Sequence, residues 1–103
     1  MQFITYFELN QNLSESDRLG GAGMVMEKGL FPPEGMNIIS WMSTPDMWGV
    51  LISEAETVEQ VMRGLAVWRA AVPGFFESTK TAPAMPVLEA IPIAGEINQT
   101  ING

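Results

Sequence analysis

The tightest constraint on the fold of this chain is the stretch from Met36 to Glu54. Met36 to Ser43 and Met47 to Glu54 are both rich in aromatic, β-branched and other apolar residues, with only Thr44-Pro45-Asp46 between them. Two such runs joined by turn chemistry of this kind predict a β-hairpin. A lone hairpin is marginal in water, so the rest of the chain must supply further strands and a covering layer. The domain is thereby committed to an antiparallel sheet.

The flanking segments supply both. Phe3 to Leu9 is aromatic and β-branched and stops at Asn10-Gln11-Asn12, which predicts a first strand. Ser14 then opens a helix as its N-cap, with Asp17 three residues on. Leu19, Ala22, Gly23, Met26 and Leu30 follow a helical spacing, although Gly20, Gly21 and Gly23 each weaken the helix by about 1 kcal/mol relative to Ala. Phe31-Pro32-Pro33-Glu34-Gly35 is a turn into the hairpin. After the hairpin, Thr57 and Gln60 form a capping-box pattern, and Val58, Val61, Met62, Leu65, Trp68 and Val72 share one helical face. Pro73-Gly74 ends that helix. A polar stretch to Thr81 follows, and Met85 to Ile93 reads as a last strand. Pro83, Pro86 and Pro92 place that strand at a sheet edge. Residues 95–103 read as a polar, loose tail beyond a single domain of residues 1–94.

The order β-α-β-β-α-β predicts an α+β, ferredoxin-like fold: a four-stranded antiparallel sheet with two helices on one face. Its first and third strands are central, and those two segments contain no proline.

Composition narrows the function more than it identifies it. The 103 residues carry a net charge of −7, which disfavours nucleic acid and anionic membrane surfaces. With 47% hydrophobic residues the chain has ample material for a core. It contains no His and no Cys, which removes Ser–His and Cys–His nucleophiles, thiol redox chemistry, disulfides and ordinary zinc sites. No metal and no cofactor is expected. The first residues lack the basic start of an export signal, and no apolar run is long enough to span a bilayer, so a cytoplasmic protein is expected. The Asn-x-Ser/Thr triplets at Asn12 and Asn98 are then chance matches.

Alternation gives each strand two apolar faces. Ile4 and Tyr6 oppose Phe3, Thr5 and Phe7; Ile38 and Met42 oppose Ile39 and Trp41; Trp48, Val50 and Ile52 oppose Leu51. Two helices cover one face only, and the other is larger than soluble monomers usually leave open. A homodimer packed sheet against sheet is the expected solution.

Several short motifs extend this reading. Pro32-Pro33-x-Gly35 precedes the second strand, Trp41 lies within it, and Gly49 to Glu54 closes the hairpin; Trp68, Pro73 and Pro86-Val87 follow. In these features and in element order the chain resembles the dimeric α+β barrel superfamily of small ferredoxin-like proteins. Within it the chain is most similar to an uncharacterised bacterial family, a domain of unknown function. The glycine-rich first helix and the three prolines around the last strand depart from that pattern. The resemblance implies a dimer with a pocket between sheet and helices. It also implies a choice among ligand binders, isomerases and cofactor-independent monooxygenases; the haem-dependent branches lose their usual iron ligand with the absent His.

Six residues are pocket candidates. Asn37 and Trp41 match the Asn and Trp that the resemblance implies for a monooxygenase, while a core Trp and a strand-start Asn are the plainer reading. Tyr6 and Glu8 share a face of the first strand and Glu54 ends its neighbour, so two carboxylates on adjacent strands invite acid–base work. Glu54 alternatively helps cap the following helix. Trp68 with Arg69 can clamp a carboxylate over an aromatic plate, or Trp68 is simply buried with Arg69 in solvent. The Leu19-Gly20-Gly21-Ala22-Gly23 run lacks the Lys-Ser/Thr of a phosphate loop, so it lets the helix approach a neighbour closely. Eight Met residues suit an adaptable apolar pocket. The expected function is binding of a small apolar ligand. A cofactor-independent isomerase or monooxygenase is one alternative, and a protein-interaction module using the apolar sheet face is another.

Overall fold

The computed structural model describes residues 1–103. Its elements are β1 (Gln2–Leu9), α1 (Glu15–Glu27), β2 (Asn37–Ser43), β3 (Trp48–Glu54), α2 (Val58–Ala71), β4 (Phe76–Ala84) and α3 (Val87–Asn102). The four strands form one antiparallel sheet in the order β2-β3-β1-β4, with α1 and α2 on one face. This is the ferredoxin-like α+β fold. No helix is long and apolar enough to cross a membrane.

Local chemistry explains where the elements begin and end. Ser14 Oγ accepts the Asp17 N–H at 3.0 Å and caps α1. At the other end Gly29, at φ +63°, donates to Met26 O and Leu30 to Val25 O, the paired bonds of a Schellman stop. Gln60 Oε1 reaches back from α2 to accept the N–H groups of Glu56 at 2.9 Å and Thr57 at 3.3 Å. Gly21 faces the Val72 side chain so closely that a Cβ there would collide with it; the glycine sets the approach of α1 to the end of α2. Gly20 and Gly23 face open space.

Two parts of the sequence reading are corrected. The last strand is Phe76–Ala84, in the stretch that reads as polar, and not Met85 to Ile93. Residues 87–102, including the supposed loose tail, form α3. β4 is an edge strand that needs only one partner, and its residues facing the helices, Thr79, Thr81 and Pro83, are too small or polar to give an apolar alternation. Pro86 sits at the N-cap of α3, where its missing N–H costs nothing.

A third correction concerns β2. Ile38 pairs with Ser53 and Ser40 with Ile52, so Ile39 is an extra residue in a β-bulge. The bulge shifts the alternation by one. Ile38 packs on the core, and Trp41, opposite Leu51, lies on the same helix-covered face. Plain alternation puts Ile38 and Trp41 on opposite faces.

The core lies between the sheet and the two helices. Val25, Phe31, Met36, Leu51, Trp68, Val72 and Phe75 form its main cluster, and Phe3, Ala55 and Val61 a smaller one.

Candidate functional site

Inside this core the rings do not close completely. A cavity of about 380 Å³ opens between the sheet and α1 and α2, at the end of the sheet where β1 finishes and β4 begins. Thirteen of its fifteen lining residues are hydrophobic, and the other two are Thr5 and Ser43. No charged side chain reaches it.

Its wall is a run of aromatic rings. Phe31 lies 5.1 Å from Trp41 and 5.4 Å from Trp68, centroid to centroid, and the two tryptophans are 5.9 Å apart. Trp68 stacks on Phe75 at 5.4 Å with an interplanar angle of 14°, and Phe75 meets Phe76 edge-on at 5.1 Å. Offset and edge-on pairs like these hold each other's orientation. Trp68 is buried, whereas Trp41 is 40% exposed and stands at the mouth. Gly64 in α2 gives Phe31 and Met36 room, since a Cβ there would lie 2.9 Å from Met36 Sδ and 3.1 Å from Phe31 Cε1. The two polar linings differ. Thr5 Oγ1 is already hydrogen-bonded to Thr81 Oγ1 at 3.0 Å, while the Ser43 side chain is exposed at the rim.

The six sequence candidates separate into three places. Trp41 and Trp68 line the aromatic cavity. Asn37 and Glu54 are cross-strand partners beside a second, polar cleft, with Glu34, Glu56, Glu59 and Arg63. Tyr6 and Glu8 lie on the open sheet face, where Tyr6 OH donates to Glu8 Oε2 at 3.3 Å, as does Ser78 Oγ. Partial desolvation, then the charge of Glu8 and the hydrogen bond it accepts, raise the Tyr6 phenol above its ordinary pKa of 10.0.

Glu8 and Glu54 are not brought together. Glu8 pairs with Trp48 and Glu54 with Gln2, six positions apart along the strands, or roughly 20 Å. Asn37 does not line the cavity that Trp41 enters, although its neighbour Met36 does. Arg69 is exposed: its Nη2 donates to Thr79 Oγ1 at 2.9 Å and its Cζ lies 5.7 Å from the Phe76 ring centroid. No cluster of acidic side chains converges as a metal would need.

Sequence reasoning missed most of the lining, the aromatic Phe7, Phe31, Phe75 and Phe76 above all. Phe31 and Phe75 each adjoin a chain-breaking pair, Pro32-Pro33 and Pro73-Gly74, and Phe76 follows as the first residue of β4. An aromatic residue placed beside a forced turn has its direction fixed by that turn, and this is the signal that was available.

No family model matches the chain, and no curated protein matches it. Two of the solved structures that are similar to it can be named. One is a Nitrosomonas europaea protein described as a candidate antibiotic biosynthesis monooxygenase, 16% identical, with 82% of this chain and 98% of that one covered and a TM-score of 0.47. The other is a structural-genomics protein from Agrobacterium tumefaciens, 12% identical, with 84% and 93% covered and a TM-score of 0.48. At such identities no activity carries over to this chain.

Proposed function

We propose that this protein binds a small, uncharged apolar ligand in the aromatic cavity, and that it does so as a homodimer joined through the open sheet face. The observation that carries the reading is the cavity's lining, thirteen hydrophobic residues of fifteen with no titratable group among them. Its volume of about 380 Å³ lies within the roughly 300–1,000 Å³ of small-molecule sites. A charged ligand would lose its hydration there with nothing to replace it.

The same lining favours binding over the alternative of an isomerase or monooxygenase. Proton transfer needs a titratable side chain within hydrogen-bond reach of the substrate, and the Asn that a monooxygenase reading invokes, Asn37, stands at the other cleft.

The test is titration with a neutral fluorescent naphthylamine, read by quenching of the cavity tryptophans. Saturation at one probe per chain is expected. Ala22→Phe, which fills the cavity from α1, should keep the far-ultraviolet circular dichroism and lose the probe. A folded wild-type chain that takes up no probe would overturn the reading.

A further inference from the structure

The helix α3 has no use within its own chain. None of its residues is buried, and it stands outside the packing of sheet, α1 and α2, in a molecule 59 Å long and 29 Å across. Yet Val87, Leu88, Ile91, Ile93, Ile97 and Ile101 are each at least half exposed. Soluble monomers rarely keep so many large apolar side chains together in water without a partner.

The spacing indicates what covers them. Val87, Ala90, Ala94, Ile97 and Ile101 recur at intervals of three and four, the seam by which a helix meets another helix. The middle of the seam is small, Ala90 and Ala94, so a second backbone can approach closely there. The only acids of α3, Glu89 and Glu96, fall on the opposite side at about 100° per residue, as do Leu88 and Pro92, while Ile91 and Ile93 flank the seam. In a chain of net charge −7, an uncharged seam is where a second, equally acidic copy can approach without meeting a like charge. α1 and α2 are occupied on the sheet, which leaves α3 as the one helix free to pair.

We infer that α3 packs antiparallel against α3 of a second copy, with the two-fold axis near Ala94 and Val87 of each chain facing Ile101 of the other. A two-fold contact is self-complementary, as the commonest soluble dimers are. The inference rests on the homodimer of the proposed function but not on its ligand or its sheet contact.

The chain has no Cys, so cysteine cross-linking reports directly. Under mild oxidation the full-length Ala94→Cys variant should run at twice the chain mass on a non-reducing gel, while Glu96→Cys stays single. Ile97→Asp, with helix content retained, should weaken the dimer at least about tenfold. No cross-link from Ala94→Cys, or equal cross-linking from both positions, would overturn the pairing. Trp48→Asp separates this result from the sheet contact. If that variant leaves dimerisation untouched while Ala94→Cys still links, the sheet contact fails and the helix pairing stands.

Discussion

The two faces of the sheet are nearly equal in apolar residues and opposite in use. On the helix-covered face β1 and β3 present Phe3, Thr5, Phe7, Leu51 and Ser53, all buried. On the open face they present Ile4, Tyr6, Trp48, Val50 and Ile52, with Glu8 at the end of β1 and Lys80 across from Tyr6. Only the open face carries charge, and there the hydroxyls of Tyr6 and Ser78 both donate to Glu8. Hydrophobicity alone therefore does not say which face is core. A face that holds a Glu and a Lys is solvated as the chain folds and is covered, if at all, by a partner with a polar rim.

Placing one charge on each face gives the largest expected effect. Leu51→Asp puts a carboxylate at a 4% exposed position among aromatic rings and should cost more than about 4 kcal/mol, much of a small domain's stability. Lost near-ultraviolet circular dichroism would report it. Trp48→Asp, 39% exposed on the other face, should leave the fold intact and convert the proposed dimer to monomer by native mass spectrometry. Two unfolded variants would mean that the open face is part of the chain's own core.

A second pair tests the bulge that sets the cavity. Trp41→Ala should lower stability by about 2 kcal/mol, less than a fully buried Trp because the ring is half open, and should also weaken the neutral probe. Met42→Ala, one residue on and on the open face, should stay within about 0.5 kcal/mol by urea midpoint. Equal losses would contradict the shifted alternation at Ile39.

The sequence made this contrast legible in some elements and hid it in others. β1, β3, the capped starts of α1 and α2, and the hairpin could be read because a local rule agreed with the global fold in each. The alternation failed in β2 because one inserted residue moves every later side chain to the other face, and nothing in Ile38-Ile39-Ser40 announces the insertion. β4 was obscured by its polar edge, and α3 by prolines that deter a helix reading. For the cavity, Trp41 and Trp68 were legible as aromatics. Phe31 and Phe75 meet them from turns, outside any helical or strand periodicity, and Phe76 opens the edge strand that the polar stretch hid.

A smaller effect sits on the covered face. Ser53 Oγ is fully buried beside Phe3 and Ile38 and has no hydrogen-bond partner. Ser53→Ala removes an unsatisfied hydroxyl and should stabilise the chain by about 1 kcal/mol, raising the urea midpoint without changing its slope. A loss instead would mean that the hydroxyl finds a partner after all.

The smallest effect reads the open face through its own chromophore, since Tyr6 is the only tyrosine. Its phenol is raised above 10.0 first by desolvation and then by Glu8. The absorbance of the phenolate should therefore titrate with a midpoint above 10.0 in the folded protein. The folded phenol holds its proton more tightly than the unfolded one, so its contribution to stability is complete below pH 10.0 and is lost as the pH rises through the folded value. Glu8→Gln removes the charge but not the desolvation, so the midpoint should fall part of the way and remain above 10.0. A midpoint at or below 10.0 in both proteins would show a fully hydrated face, which two sheets packed together do not leave.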